Sequence, residues 1–258
     1  MLLKKFRLSE KLNESIVDGI IEGYKDYLRV RKEAARNLKV HGAYAWVKGN
    51  HIDHYVAVEC EKLGVESKLS KAGVTWQYLQ FYIEDVKSLF LIKNARYFDP
   101  EAVDRGKDTY GRSKNKKSAY MEEFISIKGN IKFPNKSNKT LGSQSLQLAL
   151  FDEIPFDSLT KESVTEIAKQ HERFYIVTYE IDDEYLINDI KLWMPNPVNN
   201  KAYLVEDLTE LINTKTSHII EMEEQTKAIL QNSTEMPDAS LYDIEIVEDD
   251  SDEATGES

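Results

Sequence analysis

The sequence predicts an α+β fold: N-terminal helices, central antiparallel strands and hairpins, then a C-terminal helix and a disordered acidic tail. Three observations carry this. Apolar residues recur every four positions near the N-terminus. The middle of the chain carries aromatic and aliphatic runs bounded by turn residues. Strands and helices do not alternate regularly, which argues against a doubly wound parallel sheet.

The first helix is read from Leu8, Leu12, Ile16, Ile20, Tyr24 and Leu28, which line one helical face. Ser9 is its expected N-cap. Gly19 and Gly23 lie inside the pattern and cost about 1 kcal/mol each relative to Ala, which points to a close contact with another helix. A second, basic helix is expected over Arg29–Lys39, and a third over Ala43–Leu63 with Gly64 as its stop. Trp76–Ile83 and Ser88–Lys93 read as strands, with Asp85 and Lys87 in the turn between them. Residues 105–118 read as a mobile polar loop, and Phe124–Ile127 with Ile131–Phe133 as a hairpin turning at Gly129-Asn130. A helix is expected from Ser158 or Thr160 to His171. Phe174–Ile181 and Tyr185–Met194 form the clearest hairpin, followed by a strand at Ala202–Val205 and a helical stretch over Asp207–Leu230.

The organisation expected is a helical segment plus strands over 1–133, a linker over 134–157, a hairpin and helical segment over 158–232, and the tail over 233–258. The charge distribution supports this division. The chain carries 34 Lys or Arg against 45 Asp or Glu, a net −11. Ten of the acids fall in residues 233–258, which hold no Lys or Arg, so the rest is near neutral. One cysteine, Cys60, excludes an internal disulfide and fits a reducing cytoplasm. The N-terminus lacks the apolar run of a secretory signal, and no stretch reaches the roughly 18 apolar residues of a membrane helix, so no membrane partner is expected.

One short motif points to a partner. Gln147-Leu148-Ala149-Leu150-Phe151 resembles the pentapeptide with which bacterial proteins dock on the DNA polymerase III β sliding clamp, usually written QL(S/D)LF. It departs only at Ala149, the most tolerant position. The resemblance implies that Leu150 and Phe151 fill an apolar pocket, that Leu148 braces them and that Gln147 fixes the register. It covers five residues and implies nothing about the fold. The adjoining Asp152-Glu153-Ile154-Pro155-Phe156 resembles the acidic tip of bacterial single-strand-binding protein, which works as a free C-terminus; here the chain continues.

Candidate chemistry is sparse. A basic stretch from Arg105 to Lys139, interleaved with Tyr110, Tyr120 and Phe124, has the composition to follow a phosphate backbone and stack on bases, so DNA is a candidate partner, with Arg105, Lys107, Arg112, Lys114, Lys116 and Lys117 as the candidate contacts. A restriction-type nuclease needs acids and a lysine converging on Mg²⁺; Glu59, Asp85 and Lys93 are the closest fit, with Leu91 where an acid belongs. A second fit, Asp183 with Asp189 and Lys191, turns too tightly. His41, Asn50, His51, Asp53, His54 and Glu59 cluster without an HExxH or Cys/His pattern, so no metal site is expected, and no cofactor beyond the Mg²⁺ of a nuclease. No phosphate-binding glycine loop or nucleophile elbow occurs. The expected function is therefore a clamp-binding protein at the replication fork, a regulator of the kind a phage or mobile element carries. The alternatives are a clamp-recruited nuclease and an acidic DNA mimic that inhibits a nucleic-acid-binding enzyme.

Overall fold

Strands buried on both faces read as continuous apolar runs rather than alternating ones, and the two central strands do. The structure, a computed structural model, describes residues 2–72, 76–108, 110–115, 117–127, 131, 133 and 170–231. Six strands form one sheet in the order of the chain: β1 (Glu66–Ala72), β2 (Trp76–Ile83), β3 (Ser88–Asn94), β4 (Arg173–Ile181), β5 (Ile187–Pro195) and β6 (Ala202–Asp207). Neighbours are antiparallel except β3 and β4, which run parallel from Ser88↔Arg173 to Asn94↔Tyr179. Segment 1–133 thus supplies one half of the sheet and segment 158–232 the other.

Alternate residues of the central strands feed two cores. Phe81, Phe90, Tyr175, Val177 and Tyr179 face a helical layer made of α1 (Glu10–Asn37) and α2 (Lys48–Glu61). Tyr82, Leu89, Leu91, Phe174 and Ile176 face a second cluster with Phe98, Val103, Met121, Phe124 and Ile127. That cluster is roofed by α3 (Ala119–Ile125). Each fully buried Leu or Phe contributes about 1.5–3 kcal/mol.

The helices expected over 8–28 and 29–39 are one helix. Ser9 caps it, its Oγ accepting from the Leu12 amide at 3.3 Å. No break falls at residue 29 because Arg31 and Ala34 continue the buried face. Arg31 is wholly buried and donates to the carbonyls of His41 (3.2 Å) and Ile229 (3.4 Å). Ile229 lies in the last turn of α4 (Glu224–Gln231), where a cation complements the helix dipole. The glycines do mark a helix contact. A Cβ on Gly19 would sit 2.4 Å from the Val56 Cα, and one on Gly23 2.6 Å from the Ile52 Cα. Gly64 (φ 76°) ends the turn after α2, with the Val65 amide bonded back to the Cys60 carbonyl at 3.2 Å.

Four expectations are corrected. The helix read from Ala43 divides into a 3₁₀ turn, Gly42–Ala45, and α2. Phe124–Ile127 is no hairpin strand, because Phe124 and Ile125 lie in α3 and point into the second core. The stretch 207–230 is not one helix but two 3₁₀ turns, Thr209–Asn213 and Thr216–His218, and α4. His218 breaks it by turning inward to Asp18, Nε2 to Oδ1 at 2.7 Å. Finally, β1 is not among the expected strands, and β3 pairs with β4 in parallel rather than within an antiparallel series. The acidic tail and the helix expected from residue 158 lie outside the described residues, apart from the latter's end at Gln170.

Candidate nucleic-acid interface

Because β3 and β4 are parallel, both leave the sheet at the same edge, and the loops that follow them stand side by side. Here Asn94 closes β3, and its Oδ1 accepts from the Arg96 amide at 2.9 Å to start the turn Ala95–Tyr97. The turn exposes Arg96 and sets its guanidinium 5.8 Å from the centroid of the Tyr97 ring, within cation–π reach. β4 leads into Glu180, Asp182 and Asp183. Trp46, which follows the 3₁₀ turn, and Lys48, the first residue of α2, complete a cleft of about 500 Å³ lined also by Tyr24, Tyr27, Tyr97, Tyr185 and the three acids. Trp46 is 44% exposed, a large ring presented to water beside cations.

A smaller recess adjoins it. β2 and β3 pair only over Phe81–Ile83 and then splay. Asp53 of α2 fills the gap, its carboxylate accepting from the Leu79 amide at 3.0 Å. Lys93 lies in this recess with Tyr78 and Tyr120. Its Nζ donates to the Tyr120 hydroxyl at 2.7 Å and lies 5.2 Å from the ring centroid. Burial pushes the Tyr78 phenol up to about 12, so it stays neutral at physiological pH.

The basic loop reaches this same end of the molecule. The Asp108 carboxylate accepts from the amides of Arg112 (2.9 Å) and Tyr110 (2.8 Å) and from the Arg112 side chain (3.1 Å). These contacts, the Arg112 amide first, hold its pKa below the usual carboxylate range. The Asp99 carboxylate accepts from Ser113, and buried Asp104 accepts from Asn200 at 2.9 Å, tying the loop to the β5–β6 turn. The loop expected to be mobile is therefore knit together at both ends.

The six basic candidates are not equivalent. Arg105 is exposed, and with Lys114 it shares a small crevice with Lys93 and Tyr120. Arg112 stacks on Tyr110 at 5.1 Å while paired with Asp108. Lys117 is bridged by Glu122 (2.6 Å) and Asp104 (3.4 Å), so its charge is spent within the fold. Lys107 bonds through its amide to the Tyr97 carbonyl at 2.8 Å, next to the cleft. Lys116 lies outside the described residues, as do Gln147, Leu148, Leu150 and Phe151.

The three nuclease candidates do not converge. Asp85 is exposed in the turn before β3, and Lys93 lies about 17 Å of strand further on. Glu59 pairs with Lys62 on the flank of α2. The acid beside Lys93 is Asp53, which already serves a backbone amide. In the histidine-rich segment, His51 Nδ1 meets Asp26 at 2.7 Å and His54 packs edge-on against Tyr55. Among the described residues no three His, Cys, Asp or Glu are grouped to hold a metal ion, and no helix is long and apolar enough to cross a membrane.

The sequence alone does not single out Trp46, Lys48, Arg96 and Tyr97. The Asn94-Ala95-Arg96 cap directly after a strand is the signal it carries for them. Comparison with protein-family models, with curated proteins and with solved structures finds no match.

Proposed function

We propose that this protein docks on a bacterial DNA sliding clamp and meets DNA with the aromatic, basic end of its sheet. The observation that carries the reading is Gln147–Phe151, which keeps every restricted position of the clamp-docking pentapeptide. Its place in the chain supports the reading. It lies in the connection between α3 and β4, within residues 134–169, while Phe133 before that segment packs on Tyr203 at 5.3 Å and β4 after it is central to the sheet. The Asn-, Ser- and Lys-rich stretch before the motif supplies length for an extended peptide to reach a groove. Trp46, Tyr97, Arg96, Arg105 and Lys114 add the combination of stacking surface and positive charge that single-stranded DNA engages. A client that holds the clamp beside DNA competes with other clamp-binding proteins, and regulation by competition follows without any catalytic step.

A synthetic peptide of residues 143–156 tests the docking. It is expected to displace the full chain from purified β clamp, and a version with Leu150 and Phe151 replaced by Ala is expected not to. Binding of the full chain that neither peptide disturbs overturns the proposal.

A further inference from the structure

Between them, α1 and the segment 216–226 form a groove of about 810 Å³. One wall is a row of cations on α1: Lys25, Arg29, Lys32 and Arg36, spaced at three and four residues and so on one helical face. The floor is aliphatic, with Leu28, Ile219, Ile220 and Met222. Ile219 is 63% exposed, an uncovered apolar surface beside a basic wall. A second hollow of about 360 Å³ shares Lys32 and Arg36 and extends the groove to His41 and Ile229. Three of the cations have neighbouring acids: Lys25 with Glu22 (3.0 Å), Arg29 with Asp26 (2.7 Å) and Lys32 with Glu223 (2.8 Å). Arg36 has no acidic partner among the described residues. Glu33, which also pairs with Arg29 at 3.4 Å, and Glu221 are the other acids on the rim.

We propose that residues 241–250 of the same chain, Leu-Tyr-Asp-Ile-Glu-Ile-Val-Glu-Asp-Asp, occupy this groove in cis. Two properties of that segment match two properties of the groove. It holds five acids and no base, against a wall on which Arg36 lacks an acidic partner among the described residues and Lys25, Arg29 and Lys32 are reached in competition with their neighbouring acids. It also holds Leu241, Tyr242, Ile244, Ile246 and Val247, against an aliphatic floor. A nucleic acid matches the wall but leaves the floor uncovered, whereas an acidic peptide with interleaved aliphatic residues covers both. The chain path allows it. Thr226 of α4 lines the groove, and α4 ends at Gln231 about 8 Å further along its axis. The nine intervening residues, 232–240, span up to about 30 Å when extended. Tethering supplies an effective concentration in the millimolar range, so even weak docking fills the groove. The contact is salt-sensitive, because the Debye length shortens from about 10 Å at 0.1 M salt to about 3 Å at 1 M and weakens attraction between exposed charges.

Zero-length carbodiimide cross-linking of the full chain, read by mass spectrometry, tests this. The result expected is linkage of Glu245, Glu248 or Asp249 to Lys25 and Lys32, at least fivefold above linkage of those acids to Lys68 and Lys71 on the edge strand β1. The linkage should fall at least fivefold in 0.5 M NaCl and in the full-length variant Ile244→Ser/Ile246→Ser, which alters only the tail. The variant Arg29→Glu/Arg36→Glu should also lose it, with circular dichroism reporting whether α1 is intact. Linkage spread evenly over surface lysines, or unchanged by the isoleucine substitutions, overturns the proposal. So does linkage between isotopically distinct chains in a mixed sample, which assigns the groove to a second copy. Photo-cross-linking of a thymidine oligonucleotide to the groove while the tail gives no linkage assigns it to nucleic acid and overturns it as well.

Discussion

The α1–α2 crossing and the carboxyl end of β3 and β4 are built on opposite plans. At the crossing, Gly19 and Gly23 bring backbone against backbone, and Ile16, Ile20, Ile52 and Val56 close the space with no exposure at all. At the sheet end, strands splay, a carboxylate substitutes for a missing strand partner, and rings, two cations and three carboxylates line a water-accessible cleft. The first region is packed to hold the helical layer together; the second gathers rings and charged groups around an open cleft. Close packing tolerates no added atom, whereas an open polar cleft tolerates substitution and loses binding instead of stability.

The largest effect expected is at the crossing. Gly19→Ala places a methyl group 2.4 Å from the Val56 Cα, and backbone cannot swing aside as a side chain does. A loss on the order of 3 kcal/mol or more is expected, read as a lower denaturation midpoint, despite the better helix propensity of Ala. A stability within about 0.5 kcal/mol of wild type, the range of an ordinary surface substitution, would show that the helices do not touch there.

The sheet end should respond in binding alone. Trp46→Ala is expected to weaken single-stranded DNA binding on the order of tenfold, the scale of one stacked base. Arg105→Glu with Lys114→Glu should weaken it further and flatten its salt dependence, with an unchanged melting temperature. Equal affinity for all three proteins in a fluorescence titration would remove DNA from this site.

A smaller effect lies between the two helices of the crossing. Burial works to raise the Asp26 pKa, but hydrogen bonds from Arg29 and His51 outweigh it and hold it below the ordinary value of 3.8. A carboxyl with a depressed folded pKa stabilises above its unfolded pKa, and that stability is lost as pH falls through the folded value. Asp26→Asn should therefore cost about 1 kcal/mol at pH 7 and lessen the acid sensitivity of stability below about pH 4. Parallel pH-stability curves for the two proteins would contradict this.

Cys60 gives the smallest expected change, none in the folded state. It is fully buried, and burial first, with Glu59 adding, pushes its thiol up to about 12. A thiol reagent at pH 8 should react only at the rate of unfolding. Rapid labelling of native protein would mean that the crossing opens locally.

The same contrast decides what is legible in the sequence. The crossing is readable because it is local: a four-residue apolar period that keeps glycines inside it is the pattern of a helix packed closely on another. The hairpin β4–β5 is readable because its two apolar runs sit either side of one short acidic turn. β1 is not, because an edge strand whose sequence is Glu-Ser-Lys-Leu-Ser-Lys-Ala carries a single large apolar residue, Leu69, and that residue is 65% exposed. The 124–127 run reads as a strand although it is helical up to Ile125, because a short apolar stretch has no period to separate strand from helix. The cleft draws on residues 24–49, 94–97, 180–185 and 230–231, and the parallel β3–β4 pairing sets the second and third of these side by side. No spacing along the chain announces such a site.

The central claim is clamp docking through Gln147–Phe151, and calorimetric titration of purified β clamp with the full chain tests it most directly. Leu150 and Phe151 each leave water on docking, so replacing both by Ala should cost on the order of 3 kcal/mol or more. The wild-type chain is expected to bind, and the double variant, equally folded by circular dichroism, to bind at least 100-fold more weakly. Equal affinity of the two proteins, or no binding by either, would contradict the account.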